Sequence, residues 1–127
     1  MSAQQHPAWF PPNCPPADAR DALGQVFRIV NGAALTEADF ATHQEANTAL
    51  SAPPCGRAGI SVFDSFEKAA FRQRMTPRLG SAIAQGVLKP DAGKTLLTNP
   101  KSGHIEWWPY KDIVRVSYFS EGKPCNT

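Results

Sequence analysis

Short apolar blocks separated by polar turns run along this chain, and they predict strands. The strongest blocks combine β-branched and aromatic side chains, the composition typical of strands, and lie at 26–30, 59–63, 104–108 and 113–119. Two shorter apolar segments, 87–88 and 95–97, flank a proline- and glycine-containing turn and are further strand candidates. The second half of the chain is therefore predicted to be mostly strand.

Three helices are predicted between the early strands. Each prediction depends on residues typical of a helix start, followed by apolar residues at helical spacing. Thr36 can cap a short helix that runs to about Glu45 or beyond, with acidic residues in its first turn. Ser65 opens a capping box before a second helix. Pro77 suits the first turn of a third helix, whose buried candidates are Leu79, Ala82 and Ile83.

Helices early and strands late predict an α+β fold. We expect a single compact domain with a mixed or largely antiparallel sheet, two or three helices on one side of it, and a proline-rich N-terminal arm. The arm is predicted at 1–22, the α+β domain at 23–120 and a polar tail at 121–127. Trp9 and Phe10 give the arm an apolar surface, which favours docking on the domain or on a partner.

Composition narrows the class of protein without naming a function. The chain has 127 residues, of which 42% are hydrophobic and 19% charged, values that exclude a disordered or membrane-embedded protein. No apolar run approaches the roughly 18 residues needed to cross a bilayer, and the N-terminus does not resemble a signal peptide. We therefore expect a cytoplasmic protein that does not bind membranes. Its general style, rather than any one of these features, is that of a bacterial protein.

The net charge of +2 is too small to indicate a nucleic-acid partner. The basic side chains of one predicted helix and the turn after it form the main cationic cluster: Lys68, Arg72, Arg74 and Arg78. A solvated helix face explains this cluster, and a phosphate-binding patch is the alternative.

Three cysteines stand far apart in the sequence, at Cys14, Cys55 and Cys125. Free thiols are the expectation in a reducing compartment, and a Cys14–Cys55 disulfide would require export or oxidation. A zinc site from the three cysteines and His104 has suitable ligand types but lacks a closely spaced cysteine pair. We predict no metal.

The stretch from 103 to 110 is the richest in chemically versatile side chains. On a strand, Trp107 shares a face with Ile105, whereas His104, Glu106 and Trp108 point the other way. His104 and Glu106 are then either an acid–base pair or an exposed polar pair.

The leading hypothesis is a binding module whose surface is offered to an unidentified protein or small ligand. The residues predicted to form that surface are His104, Glu106, Trp108 and Tyr110. It requires Trp108 and Tyr110 to be exposed together. A third possibility is an accessory protein whose aromatics are all structural, which requires both tryptophans to be buried.

A second pattern suggests an enzyme. Arg28, Ser61 and Glu106 each interrupt an apolar strand, and a polar residue in such a place needs a partner or a role. Their order on three strand elements resembles the ADP-ribosyltransferase superfamily. The segments carrying the resemblance, 27–28 (FR), 60–62 (ISV) and 104–106 (HIE), span about residues 26–108.

The resemblance implies NAD as the substrate and a role for each residue. Arg28 would hold the dinucleotide phosphate, Ser61 would orient the ribose, and Glu106 would stabilise the oxocarbenium-like transition state. In this chain Val62 and Phe63 replace the end of the family's serine-threonine-serine triplet, and His104 stands where the family has a paired acid. This alternative requires Arg28, Ser61 and Glu106 to converge on one cleft. Without NAD, no cofactor is expected.

Overall fold

The computed structural model describes residues 5–124, and it has the predicted α+β architecture in one domain. The strands are β1 (Arg20–Asp21), β2 (Gly24–Val30), β3 (Ile60–Phe63), β4 (Ala82–Leu88), β5 (Gly93–Asn99), β6 (His104–Pro109) and β7 (Phe119–Pro124). The helices are α1 (His43–Ala46), α2 (Pro54–Arg57) and α3 (Phe66–Met75). Within these residues, no helix is long and apolar enough to cross a membrane.

The seven strands form one sheet in the order β1-β5-β6-β3-β2-β4-β7, and every neighbouring pair is antiparallel. At the centre of the sheet, β2 and β3 share a single aligned pair, Phe27 opposite Phe63. By contrast, β2 and β4 are aligned from Gly24 to Val30. The sheet thus consists of two well-paired halves joined at one position, and it opens beside that position.

The two faces of the sheet carry separate hydrophobic clusters. Val30, Val62 and Trp107 belong to one cluster, together with Phe40 from a 3-10 segment at Glu37–Phe40. The other cluster contains Phe27, Ile29, Phe63 and Ile83, and Ala69, Ala70 and Phe66 of α3 pack against it. Helical segments therefore contact both faces of the sheet.

Three segments differ from the sequence prediction. The single helix expected from Thr36 to about Glu45 is divided into the 3-10 segment Glu37–Phe40 and the separate helix α1. In the other two segments, tertiary contacts override local preference. The helix expected from Thr76 stops after the 3-10 turn Pro77–Leu79, and Ala82 and Ile83 lie in β4, paired with β2. Gly80 marks the change with φ +151°, and a Cβ there would lie 2.3 Å from the Val30 carbonyl oxygen. A residue with a side chain would therefore be excluded from this close approach.

The strand expected at 113–119 is instead a 3-10 turn, Arg115–Tyr118. The carboxylate of Glu37 accepts hydrogen bonds from the backbone N–H groups of Arg115 and Val116, which bends the chain there. The final strand follows as β7, paired with β4, so residues 121–124 of the expected polar tail belong to the sheet.

The proline-rich N-terminal segment lies against the domain. His6 Nδ1 lies 3.0 Å from the Pro109 carbonyl oxygen, and the Lys111 N–H donates to the Gln5 carbonyl at 2.8 Å. Cys14 is joined to Cys55 of α2 by a disulfide. The segment continues directly into the edge strand β1 before residue 22.

Candidate functional site

Arg28 bridges the two halves of the sheet where β2 and β3 separate. Its Nη1 donates to the Ser61 carbonyl at 2.7 Å, and its Nε donates to the Asp39 carbonyl at 2.9 Å. Burial lowers the pKa of Arg28 to about 10, opposed by the charges of Asp39 and Glu106. The guanidinium therefore remains cationic at neutral pH and replaces sheet hydrogen bonds that β2 no longer supplies.

Ser61 and Glu106 stand opposite each other in the pairing of β3 with β6. Cross-strand partners share a face of the sheet, so both side chains point to the side on which His104 also lies. The Ser61 hydroxyl is 2.9 Å from His104 Nε2. Arg28, Ser61 and Glu106 therefore lie near one another at the opening of the sheet, but only Arg28 and Ser61 line the cavity beside it.

Glu106 is the most unusual group of the site. Its side chain is buried, and Oε2 has no hydrogen-bond partner within residues 5–124. The nearest cation-capable atom to it is His104 Nε2 at 3.7 Å, a separation too long for a hydrogen bond. Burial raises the pKa of Glu106 to about 7, and the charge of Arg28 opposes the rise. A buried carboxyl poised near neutral pH is typical of functional sites.

His43 also belongs to the site, although it is not among the site residues predicted from the sequence. Its Nε2 lies 3.3 Å from the Ser61 hydroxyl, and its Nδ1 lies 3.0 Å from the Thr48 hydroxyl. The position follows from a capping box in which Thr42 and Glu45 close the first turn of α1. The Thr-x-x-Glu spacing in the sequence could have indicated this second helix start.

A cavity of about 1060 Å³ opens beside these residues. The site groups that line it are Arg28, His43, Ser61 and His104. Its remaining cations are Lys68, Arg72 and Arg78, and its large apolar lining residues include Phe63, Phe71 and Met75. Within the described chain, no carboxylate lines this cavity. It therefore combines apolar walls with positive charge, the chemistry expected to favour an anionic ligand that also carries flat apolar groups.

The basic cluster predicted from sequence divides at this cavity. Lys68, Arg72 and Arg78 line it, whereas Arg74 lies outside the lining, with its guanidinium carbon 5.8 Å from the ring centre of Phe71. The three arginines are exposed, as expected of a helix face, and Lys68 is half-buried; three of the four members line the same cavity.

The exposed aromatic surface expected at Trp108 and Tyr110 is not formed. Trp108 is 3% exposed, and its Nε1 donates to the Cys55 carbonyl at 2.8 Å. Trp107 is fully buried and donates to the Ala92 carbonyl. Tyr110 is half-buried against the His6 ring. Sequence alternation correctly separated the two tryptophans, but α2 and the N-terminal segment cover the face that we expected to be free.

The cysteines also differ from the expectation of free thiols. Cys14 and Cys55 form a disulfide, whereas Cys125 lies outside the described residues. Residues 5–124 contain no group of three or more side chains that could hold a metal ion.

Comparison with protein-family models, with curated proteins and with solved structures found no match to this chain. Its function must therefore be argued from the site itself.

Proposed function

We propose that this protein is an enzyme that cleaves the nicotinamide–ribose bond of NAD and transfers the ADP-ribose to an acceptor. The observation that carries the proposal is the convergence of Arg28, Ser61 and Glu106, from three strands, beside one cationic cavity. The resemblance to ADP-ribosyltransferases assigns a role to each of the three; Arg28 and Ser61 line the cavity, and Glu106 lies outside its lining.

The charges of the cavity suit a dinucleotide. A diphosphate carries its negative charge close to its centre, and arginine is the side chain best shaped to hold it. Arg28 lines the cavity, and Lys68, Arg72 and Arg78 add positive charge along its length. The exposed side chain of Phe71 offers a surface on which a flat ring can pack.

Glu106 supplies the charge that the reaction needs. Loss of nicotinamide leaves a positively charged ribose carbon, and a carboxylate in a water-poor wall stabilises that charge more strongly than one in water. Glu106 lies behind His104, which lines the cavity, so its charge acts across one side chain. With a pKa of about 7, it is ionised above neutral pH.

Ser61 completes the set at the opening of the sheet. Its carbonyl is held by Arg28, and its hydroxyl faces the cavity between two imidazoles. A hydroxyl held in this way keeps one acceptor position for a substrate hydroxyl: that of the ribose on binding, as the family resemblance implies, or that of the acceptor at the transfer step.

The test is nicotinamide release from NAD, measured by chromatography beside a thermal-shift titration with NAD. We expect turnover by the wild type, a saturable rise in melting temperature, and loss of turnover in Glu106→Gln with NAD binding retained. Arg28→Lys should weaken NAD binding, and Arg74→Lys, outside the cavity lining, is the matched control. Saturable binding without nicotinamide release would instead indicate a nucleotide-binding module. If millimolar NAD gave neither nicotinamide release nor a rise in melting temperature, the proposal would be refuted.

A further inference from the structure

Five side chains form a continuous hydrogen-bonded row along the wall of the cavity. Listed in spatial order, they are Thr48, His43, Ser61, His104 and Thr98. All five line the same cavity. The separations between successive polar atoms are 3.0, 3.3, 2.9 and 2.5 Å, each within hydrogen-bonding distance.

One further contact determines the direction of the row. The Thr98 hydroxyl donates to the His104 carbonyl at 3.2 Å, because a carbonyl oxygen can only accept. Thr98 has a single proton; when that proton is directed to the carbonyl, the Thr98 oxygen accepts a hydrogen bond from His104 Nδ1–H. In the neutral ring, His104 Nε2 then carries no proton, and it accepts a hydrogen bond from the Ser61 hydroxyl.

The same counting fixes the other half of the row. The Ser61 hydroxyl donates its hydrogen bond to His104, so the Ser61 oxygen accepts a hydrogen bond from His43 Nε2–H. His43 Nδ1 is then the acceptor for the Thr48 hydroxyl. Burial lowers the pKa of both imidazoles, with further lowering from Arg28 at His43 and from His43 at His104. Both rings are therefore neutral at pH 7, in opposite tautomers.

We propose that Ser61 and His104 form a proton relay that accepts the proton of the ADP-ribose acceptor. The inference rests on the proposed function. As the bond from the ribose carbon to nicotinamide breaks, its electron pair leaves with nicotinamide, and the acceptor oxygen or nitrogen bonds to that carbon. The acceptor's proton passes to the Ser61 oxygen, and the Ser61 proton passes to His104 Nε2.

The surroundings of His104 stabilise the product of that transfer. Once Nε2 is protonated, the imidazolium lies 3.7 Å from the unpartnered Oε2 of Glu106 and keeps its Nδ1–H bond to Thr98. An ion pair at this distance in a buried wall is favourable, whereas the neutral ring gains little from it. Glu106 thus supports both the cationic ribose and the cationic relay. His104 acts through Ser61 and is a positioning residue for the proton.

The first test needs no variant and no NAD. Two-bond ¹⁵N–¹H spectra of the wild-type histidines at neutral pH distinguish the two neutral tautomers. We expect the proton of His104 on Nδ1 and that of His43 on Nε2. Identical tautomers, or a proton on His104 Nε2, would overturn the relay whatever the protein does with NAD.

The second test uses turnover with NAD and an acceptor. His104→Gln should lower kcat by about 10²-fold, the usual contribution of a positioned acid–base group, with little change in KM for NAD. Thr98→Val should lower kcat as well, because it frees the His104 ring, and Thr98→Ser should restore it. Unchanged kcat in His104→Gln would overturn the relay while leaving the proposed function in place. Opposite tautomers with no NAD turnover by the wild type would refute the proposed function, and with it the relay's part in the transfer, while the direction of the hydrogen bonds along the row would stand.

Discussion

Glu106 Oε2 faces His104 Nε2 across 3.7 Å, without a hydrogen bond between them. Glu106 is buried and His104 is partly buried, and burial raises the pKa of the acid and lowers that of the base. Burial therefore favours the neutral form of both groups. Such a pair is costly for stability and is therefore typical of a functional site.

The cost of burying Glu106 should depend on pH. Its pKa is about 7 in the folded protein against an ordinary value of 4.5, so the folded state binds more protons than the unfolded state between these values. Stability should therefore fall as pH rises from about 4.5 to 7, by about 3 kcal/mol. Glu106→Gln should lack this loss, so urea unfolding should show its advantage over the wild type growing from pH 4.5 to pH 8. Glu121→Gln, at an exposed position, is the control. A constant difference across this range would contradict the assigned burial.

Arg28 should be needed for the fold as well as for the ligand. A lysine in its place keeps the charge but has no planar fork to reach the carbonyls of Ser61 and Asp39 together. We expect Arg28→Lys to lower the free energy of unfolding by about 2–4 kcal/mol, because a buried carbonyl loses its donor. Arg74→Lys should change it little, since Arg74 is exposed. Equal urea midpoints for the two variants would mean that Arg28 does not bridge the sheet.

Gly59 should be required for the position of Glu106. A Cβ at Gly59 would lie 2.6 Å from Glu106 Cγ and 2.9 Å from its Oε1. We expect Gly59→Ala to displace the carboxyl, to lower stability by about 1–3 kcal/mol through overpacking, and to reduce NAD turnover.

The matched control for Gly59→Ala is Gly56→Ala in α2, where the nearest atom to the new Cβ is 4.0 Å away. Alanine is the better helix former there, so stability should stay the same or rise by up to about 1 kcal/mol. Thermal unfolding and nicotinamide release, measured on both variants, test whether Gly59 is required for the position of Glu106. Full turnover by Gly59→Ala would show that the carboxyl position is not critical.

The disulfide should anchor the N-terminal segment. Cys14 and Cys55 are 41 residues apart, and a cross-link closing a loop of that length stabilises a protein by about 4 kcal/mol in the chain-entropy model. The double change Cys14→Ser and Cys55→Ser should lower the urea midpoint accordingly.

Thiol titration of the denatured protein checks the disulfide directly. We expect one free thiol before reduction and three after it, and none before reduction in Cys125→Ser. Three free thiols in freshly purified protein would contradict the bond.

Local sequence determined those parts of the fold that depend only on residues close together in the chain. The strand at 26–30 and the helix after Ser65 were predicted from composition and from a capping serine, and both are present as β2 and α3. The alternation that separates Trp107 from Trp108 also holds, since β6 is a strand. These features depend on periodicity and on end groups, which can be read one segment at a time.

The segment 113–119 shows where prediction from local sequence fails. Residues 113–119 have strand composition, yet the carboxylate of Glu37 holds Arg115 and Val116 in a tight turn. Glu37 is more than seventy residues away in sequence, so no local pattern could have shown its influence. A distant hydrogen-bond acceptor outweighed a preference worth less than about 1 kcal/mol.

For the site, the sequence alone showed that an arginine, a serine and a glutamate interrupt apolar strands. Each must have a hydrogen-bond partner or a functional role, because burying an unpaired polar group is costly. Only the tertiary structure decided that β2 and β3 part after one aligned pair, that Arg28 spans the opening, and that His43 reaches Ser61 from α1. It also decided that Trp108 is covered. Each of these outcomes depends on contacts between segments far apart in the chain, and their energies exist only after the strands have paired.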